Sequence, residues 1–286
     1  MGNNMDKKIV LITGCSSGFG YLSAIHLAEK GYQVIATMRN LAKSSDLDDE
    51  IKNRNLPITT RQLDVTNIDS IGRCLREIKD EYDRLDVLVN NAGYGIGGFF
   101  EDLNDREYRD QIETNFFGVL NMVREALPLL RKSDDARIIN ISSTAGLTTT
   151  PGMGAYNVSK WALEAFSESL RQELALHGMK VLLIEPGPYP TKVLTTNTRF
   201  AEKAHDPNSP NYRFTQQLYE KYKQNNATLK SDPMEIVRLI GKLIAEKNPS
   251  FRNVRGPGAK FRAFMHRFLP WKFNEWVIRR VIFGKV

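Results

Sequence analysis

Lys8-Ile9-Val10-Leu11-Ile12-Thr13-Gly14-Cys15-Ser16-Ser17-Gly18-Phe19-Gly20 is the stretch that decides the fold. Its first five residues form a short apolar run with two β-branched residue types, suited to a strand buried on both faces. The glycine loop follows at once, and Tyr21 to Lys30 reads as a helix closed by Gly31. Strand, glycine turn and helix in that order are the setting in which a loop binds a dinucleotide. Glycines let the backbone approach a pyrophosphate, and the free N–H groups of a helix N-terminus face its negative charge. Gly14, Ser16, Ser17, Gly18, Phe19 and Gly20 are therefore candidate cofactor contacts. A tight turn alone would also call for glycines; the strand before and the helix after set this loop apart.

Outward from the loop, apolar runs at 33–38, 58–65, 85–92, 136–143 and 180–187 are strand candidates. Helical stretches at about 41–54, 67–82, 104–131 and 155–177 lie between them. Such alternation predicts a single-domain α/β Rossmann fold, a doubly wound parallel sheet with right-handed crossovers and helices on both faces. Ligands of such sheets bind beyond the carboxyl ends of the strands. A chain of 286 residues can build one such domain with a sizeable core, and 41% apolar content is ordinary. Two cysteines, Cys15 and Cys74, make no disulfide framework and fit a reducing compartment. No apolar run approaches the ~18 residues that span a bilayer, and the N-terminus lacks the apolar core of a signal peptide. Met1-Gly2 begins like a myristoylation site, but Asp6 stands where serine or threonine is needed. A cytoplasmic protein is expected. His26, His177, His205 and His266 show no ligand-like spacing, so no metal is expected.

Thirteen positions separate Ser143 from Tyr156, and four separate Tyr156 from Lys160. Positions i and i+4 share one helix face, so Lys160 can hold its ammonium beside the Tyr156 ring. A free phenol has a pKa of about 10 and is a poor acid or base at neutral pH. A neighbouring cation stabilises the phenolate and brings it toward working pH. The Ser143 hydroxyl, at a strand end, can hydrogen-bond the same substrate oxygen. The three residues fit proton transfer at a carbonyl or alcohol, with hydride from a carrier at the glycine loop. Ser142 competes for the serine role, but the spacing favours Ser143. Tyr156 alone would be an ordinary half-buried aromatic.

With these motifs together the chain resembles the short-chain dehydrogenase/reductase family, in its compact branch. The resemblance covers about residues 8–195 and extends less completely to about 255. It rests on the pattern Thr13 to Gly20, Asn90-Asn91-Ala92-Gly93, Asn115, the Ser143, Tyr156, Lys160 group, and Pro186-Gly187 followed by Thr191. Steroid and retinol dehydrogenases and bacterial oxidoreductases of the family look most similar, through Gly14-Cys15-Ser16-Ser17-Gly18 and Ala36-Thr37-Met38-Arg39. The resemblance implies an oxidoreductase that moves hydride between NADP(H) and a hydrophobic ketone, aldehyde or secondary alcohol. Tyr156 would be its general acid/base, and Ser143 would orient and polarise the oxygen. Lys160 would lower the Tyr156 pKa and bond the nicotinamide ribose, and Asn115 would hold a water that relays protons to Lys160. Asp64, Val65, Asn91, Ala92, Gly93, Pro186, Gly187, Tyr189 and Thr191 would line the cofactor, with Asp64 at the adenine amine. A homo-oligomer, dimer or tetramer, is implied as well.

The choice of nicotinamide turns on the end of the second strand. An acidic residue there would bond the adenosine ribose and repel a 2′-phosphate. Met38 stands at that place and Arg39 follows, with a guanidinium that suits phosphate. By the resemblance Ser17 reaches the same phosphate. NADP is thus favoured over NAD; the competing reading makes Arg39 a solvated surface charge. Pro188-Tyr189-Pro190 departs from the family pattern, because neither proline can donate a backbone N–H. Tyr189 must then supply any amide contact, its ring either shaping the pocket or packing outside it. Residues at about 188–231 stand where the family carries a mobile substrate lid. Val193, Leu194, Phe200, Tyr212, Phe214, Leu218 and Tyr222 would line an apolar site there or pack the lid onto the body. Phe99 and Phe100 could add to the pocket mouth.

Residues 1–255 are read as the catalytic domain and 256–286 as a helical extension. From Phe251 to Val286 nine Lys or Arg face one acid, Glu275, for a net +8, whereas the whole chain is +7. The basic balance therefore belongs to the tail, which argues against a general nucleic-acid surface. Large aromatics interleave with those cations, and Pro270 divides the tail into two helical candidates. Such a segment suits peripheral contact with an anionic membrane, packing beside the lid, or a subunit interface. Three functional classes stay open: the NADP-dependent oxidoreductase, a non-catalytic NADP sensor, and a nucleotide-sugar epimerase or dehydratase. The intact Asn115, Ser143, Tyr156, Lys160 set argues against the second, and the short length against the third.

Overall fold

The computed structural model describes residues 7–190 and 198–284. β1 (Ile9–Ile12) lies mid-sheet and is buried along its whole length. Its alternate side chains feed two cores: Ile9 and Leu11 join one cluster, Val10 and Ile12 the other. After β1 come α1 (Gly18–Glu29), β2 (Gln33–Met38), α2 (Ser45–Arg54), β3 (Ile58–Gln62), α3 (Ile68–Tyr82) and β4 (Val87–Asn90). They are followed by β5 (Gly95–Gly97), α4 (Asp105–Ile112), α5 (Gly118–Leu130), β6 (Arg137–Ile141), α6 (Gly154–Ala175) and β7 (Lys180–Pro186). The last third carries β8 (Thr198–Phe200), α7 (Tyr212–Thr228), α8 (Met234–Ala245), β9 (Arg252–Arg255), α9 (Ala259–Phe268) and α10 (Trp271–Phe283).

Among the described residues, seven strands pair in parallel in the order β3-β2-β1-β4-β6-β7-β9. The α/β, doubly wound expectation holds. α3, α5 and α6 cover one face through Ile71, Val123 and Leu163, while α1 and α8 cover the other through Leu27 and Ile240. Strand order reverses between β1 and β4, which opens the crevice where ligands of such sheets sit. At the opposite edge Asp135 gathers three strand starts, pairing with Lys8, Arg137 and Lys180 at 2.5, 2.6 and 2.5 Å.

Some boundaries differ from the sequence reading. α1 begins at Gly18 rather than Tyr21, so the last glycines of the loop form its first turn. The expected helix at 104–131 is broken by a π-turn, Glu113–Phe117, between α4 and α5. Asn115 sits in that turn and is buried. β9 and α8 were not expected as elements. β9 is polar, Arg-Asn-Val-Arg, and only Val254 gives it an apolar signal between Arg252 and Arg255. α9 and α10 do divide at Pro270.

Candidate active site

The glycine loop and the segment after β4 are built as one piece. Gly14 and Gly18 adopt φ of +76° and +60°, which side-chain-bearing residues resist. A Cβ on Gly20 would stand 2.5 Å from both the Gly14 carbonyl oxygen and Asn91 Nδ2. Asn91 Nδ2 donates to the carbonyls of Thr13 and Gly14 at 2.8 and 3.1 Å. Thr13 Oγ1 accepts from the Asn91 and Ala92 amides, each at 3.0 Å. Asn91 thus acts here as the strut that shapes the loop. Ser17, at the start of α1, makes no side-chain cap, and no acid lies in the first turn. The helix terminus therefore keeps its donors for an outside anion. Cys15 faces inward, and burial pushes its thiol up to about 12.

Arg39 is exposed just past β2, while Met38 is buried in the core. Asp64 and Val65 follow β3; Asp64 Oδ1 accepts from the Thr66 amide and hydroxyl at 3.0 and 2.7 Å. Val65 is buried against Gly118, where a Cβ would lie 2.8 Å from it. The Asn115 amide latches Tyr94 by both backbone groups, accepting from its N–H at 3.1 Å and donating to its carbonyl at 2.9 Å. It also donates to Ser159 Oγ at 3.2 Å, so both amide hydrogens are engaged. Gly93 is pinned beside it; a Cβ there would lie 3.1 Å from Asn115 Oδ1.

Ser143, Tyr156 and Lys160 come together at the carboxyl ends of β6 and β7. Ser143 leaves β6 extended and caps a short turn, its Oγ accepting from the Ala145 amide at 3.1 Å. Its side chain lies near enough to the Tyr156 hydroxyl to favour the phenolate. Ser142 points the other way, beside Glu164, as alternation along an extended chain requires. Tyr156 is in the first turn of α6, and Lys160 lies one turn on, its Nζ 5.8 Å from the ring centroid. Burial raises the Tyr156 phenol and the neighbouring Ser143 side chain partly offsets it. Lys160 is only 7% exposed, donates to the Ile141 carbonyl at 2.9 Å, and is lowered by burial to about 8 against the pull of Glu164.

Tyr189 resolves the alternative left open for its ring. It is 1% exposed, edge-on to Phe19 at 5.6 Å, and donates its hydroxyl to Glu235 Oε2 at 2.7 Å. The ring therefore packs into the core between the glycine loop and α8. Pro186 is buried at the end of β7, and the Gly187 amide donates to the Arg255 carbonyl at 2.8 Å. Thr191, Val193 and Leu194 lie outside the described residues. Helix α7 packs onto the turn before Tyr156: a Cβ on Gly152, already at φ +73°, would meet Leu218 at 2.6 Å. Phe99 faces Phe214 at 6.3 Å, whereas Phe100 is exposed. β8 pairs with β5, placing Phe200 over Gly97.

Sequence reasoning missed a charged cluster beneath the site. Arg252 on β9 pairs with Glu164, Glu185 and Glu168 at 2.5, 2.8 and 3.0 Å. Glu185 is fully buried and Glu164 nearly so; burial and their mutual repulsion push Glu185 up, and Arg252 opposes this. Glu185, an acid closing the apolar run Val181 to Ile184, was the available signal. Among the described residues no cluster of three His, Cys, Asp or Glu could hold a metal, and no helix is long and apolar enough to cross a membrane.

Comparison with known proteins bears on the same elements. The family model described as short chain dehydrogenase matches residues 8–202. An uncharacterized oxidoreductase, YusZ, of Bacillus subtilis is 38% identical over 98% of this chain and 100% of its own. A 3-ketodihydrosphingosine reductase of Bacteroides thetaiotaomicron is 38% identical, with 88% and 89% covered, and human retinol dehydrogenase 8 is 35% identical, with 86% and 80% covered. A short-chain dehydrogenase of Streptomyces avermitilis superposes with a TM-score of 0.81 at 30% identity, over 98% of this chain and 100% of that one. The match spans both the glycine loop and the Ser143–Tyr156–Lys160 elements, and the chain belongs to the short-chain dehydrogenase/reductase family of oxidoreductases.

Proposed function

We propose that the chain is an NADP-dependent oxidoreductase that reduces hydrophobic ketones or aldehydes, or oxidises hydrophobic secondary alcohols, with Tyr156 as general acid/base. The observation that carries this reading is a buried Lys160 held one helical turn from Tyr156, its Nζ 5.8 Å from the ring centroid, with the Ser143 side chain beside the phenol. Residues 1–255 are the catalytic unit, with the lid at about 188–231, and 256–286 an appended helical pair. The uncapped α1 terminus fits a pyrophosphate, which Gly14, Ser16, Ser17, Gly18, Phe19 and Gly20 would hold. Asp64 and Val65 would lie at the adenine. Asn91, Ala92, Gly93, Pro186, Gly187, the Tyr189 backbone and Thr191 would line the nicotinamide half. Arg39, exposed after a β2 that carries no acid, supports a 2′-phosphate and hence NADP rather than NAD.

A reduced nicotinamide held by these residues would supply the hydride that adds to the carbonyl carbon. Tyr156 donates its proton to the oxygen; burial keeps that proton on the phenol until charge develops on the substrate. Ser143 hydrogen-bonds the same oxygen and holds it in line. The Lys160 cation stabilises the phenolate left behind, and Glu164, one turn further on, sustains that cation in a dry site. Asn115 fixes Tyr94 and Ser159 around these groups; a proton-relay water there would use its main chain, because both amide hydrogens are engaged. Leu218 and Phe214 of α7, with Phe99 facing Phe214 from the body, supply apolar surface suited to a hydrophobic substrate. Two relatives are named for such molecules, the ketone 3-ketodihydrosphingosine and the alcohol retinol. Free, buried Cys15 and Cys74 suit the cytoplasm, and a homo-oligomer is what the family suggests.

The test is initial-rate oxidation of NADPH and of NADH against a panel of hydrophobic ketones and aldehydes. Turnover that prefers NADPH supports the reading whole. Preference for NADH would refute the Arg39 assignment, and tight NADP binding without turnover on any carbonyl would favour a sensor.

A further inference from the structure

α9 and α10 have two unlike sides. The inner side is fixed to the body and the lid. Arg262 donates to Thr144 Oγ1 at 2.8 Å, next to Ser143, and His266 stacks edge-on with Trp161 of α6 at 6.3 Å. Phe283 meets Phe214 of the lid at 5.6 Å, and Lys221 donates to the carbonyls of Val281 and Ile282. Buried Asn274 ties the two helices, donating to the Leu269 carbonyl at 3.1 Å. Packing beside the lid, one of the alternatives for this tail, is therefore satisfied by the inner side alone.

The outer side keeps large rings in water. Phe261 is 67% exposed, Phe268 64%, Trp271 63% and Trp276 59%, with Phe264 and Phe273 also exposed. Phe261, Phe264 and Phe268 recur at three- and four-residue steps and so share one face of α9. Exposed cations flank them: Lys260 and Arg267 on α9, and Lys272, Arg279 and Arg280 on α10. The single acid of the segment, Glu275, is already paired with Arg279 at 2.7 Å. Clustered exposed aromatics mark an interaction surface, and their cations decide what kind.

We propose that the outer face of α9–α10 docks on an anionic lipid bilayer. Rings set among Lys and Arg match an interface in which aromatics reach the acyl boundary and cations meet anionic headgroups. A second copy of the chain fits poorly. A twofold contact would set this cationic face against itself, and the cores of protein interfaces are depleted of charge. A docked face also brings the lid helix α7 to the membrane surface. This assignment goes beyond the oxidoreductase reading and does not depend on it.

Flotation of the full chain with phosphatidylglycerol–phosphatidylcholine vesicles, and with phosphatidylcholine alone, tests it. Two double variants serve, Lys272→Gln with Arg280→Gln, and Phe264→Ser with Trp276→Ser; none of these residues belongs to the catalytic or cofactor set. Unfolding temperatures within a degree or two of the wild type would establish that both variants fold. The expected result is binding to the anionic vesicles only, weakened by salt. The charge variant should partition about thirtyfold less, from roughly a fivefold contribution of each cation near the surface. The aromatic variant should lose binding as well. Equal binding to neutral vesicles, or binding unchanged in both variants, overturns the proposal. So does an oligomer that the variants dissociate while vesicles have no effect, because the face would then be a protein interface.

Discussion

Lys160 sits where its charge is costly, and replacing it separates function from stability. In Lys160→Met the chain length and volume stay close while the ammonium is removed. The native amine is held at about 8 against an ordinary 10.5, with burial as the cause. That difference amounts to about 3 kcal/mol against the charged form in the fold. Losing the 2.9 Å bond to the Ile141 carbonyl returns about 1–2 kcal/mol of it. The variant should therefore be more stable at pH 7 by about 1–2 kcal/mol, or roughly 2–3 °C in Tm for a chain of this length. The pH dependence carries the same sign. Between pH 8 and 10.5 the unfolded lysine binds a proton that the native one has released, so wild-type stability gains relative to the variant as pH rises through this window. The gain is absent below it. Chemical denaturation of both proteins across pH 7–11 reads the difference, and other titrating groups cancel in the subtraction. A variant destabilised by more than 1 kcal/mol, or a difference flat with pH, would refute the argument that Lys160 is a buried cation kept at the expense of stability.

Three further outcomes follow from the site. Gly20→Ala should lower NADP affinity at least about tenfold by calorimetry, since its Cβ would press at 2.5 Å on the Gly14 carbonyl and Asn91 and deform the loop. Arg39→Glu should raise the KM for NADPH about 10–100-fold and leave that for NADH nearly unchanged, because it removes a phosphate-binding cation and adds a repelling charge. Neither cysteine should react with an aromatic disulfide reagent in the native protein at pH 8, since burial pushes Cys15 and Cys74 each up to about 12, and both should react on unfolding.

Much of this architecture was legible because the parallel sheet writes itself as apolar runs. β2 matched its predicted span, and β1, β4, β6 and β7 differed only at their ends, since a strand buried on both faces has a simple signature. The elements that escaped were those whose character comes from tertiary partners. β9 reads as polar because Arg252 serves Glu164 and Glu185, and its neighbours lend it a core it does not carry in its own sequence. The π-turn at Glu113–Phe117 leaves no composition signal; it becomes intelligible only when the Asn115 amide is seen latching Tyr94 and Ser159. Spacing was enough to bring Ser143, Tyr156 and Lys160 together, and strand alternation explains why Ser142 turns away. Spacing could not say how burial would act on them. The expected lowering of the Tyr156 phenol by Lys160 meets a fold in which burial raises it. Nor could local sequence place the Tyr189 ring, whose partners Phe19 and Glu235 lie far away along the chain.

The most direct test of the central claim is single-turnover oxidation of bound NADPH by a carbonyl substrate in Tyr156→Phe beside the wild type. Loss of one hydroxyl should slow the chemical step by about 10²–10⁴-fold, the span of general acid catalysis, and leave the NADPH dissociation constant unchanged. A rate within a few-fold of the wild type at equal cofactor occupancy would contradict Tyr156 as the proton donor.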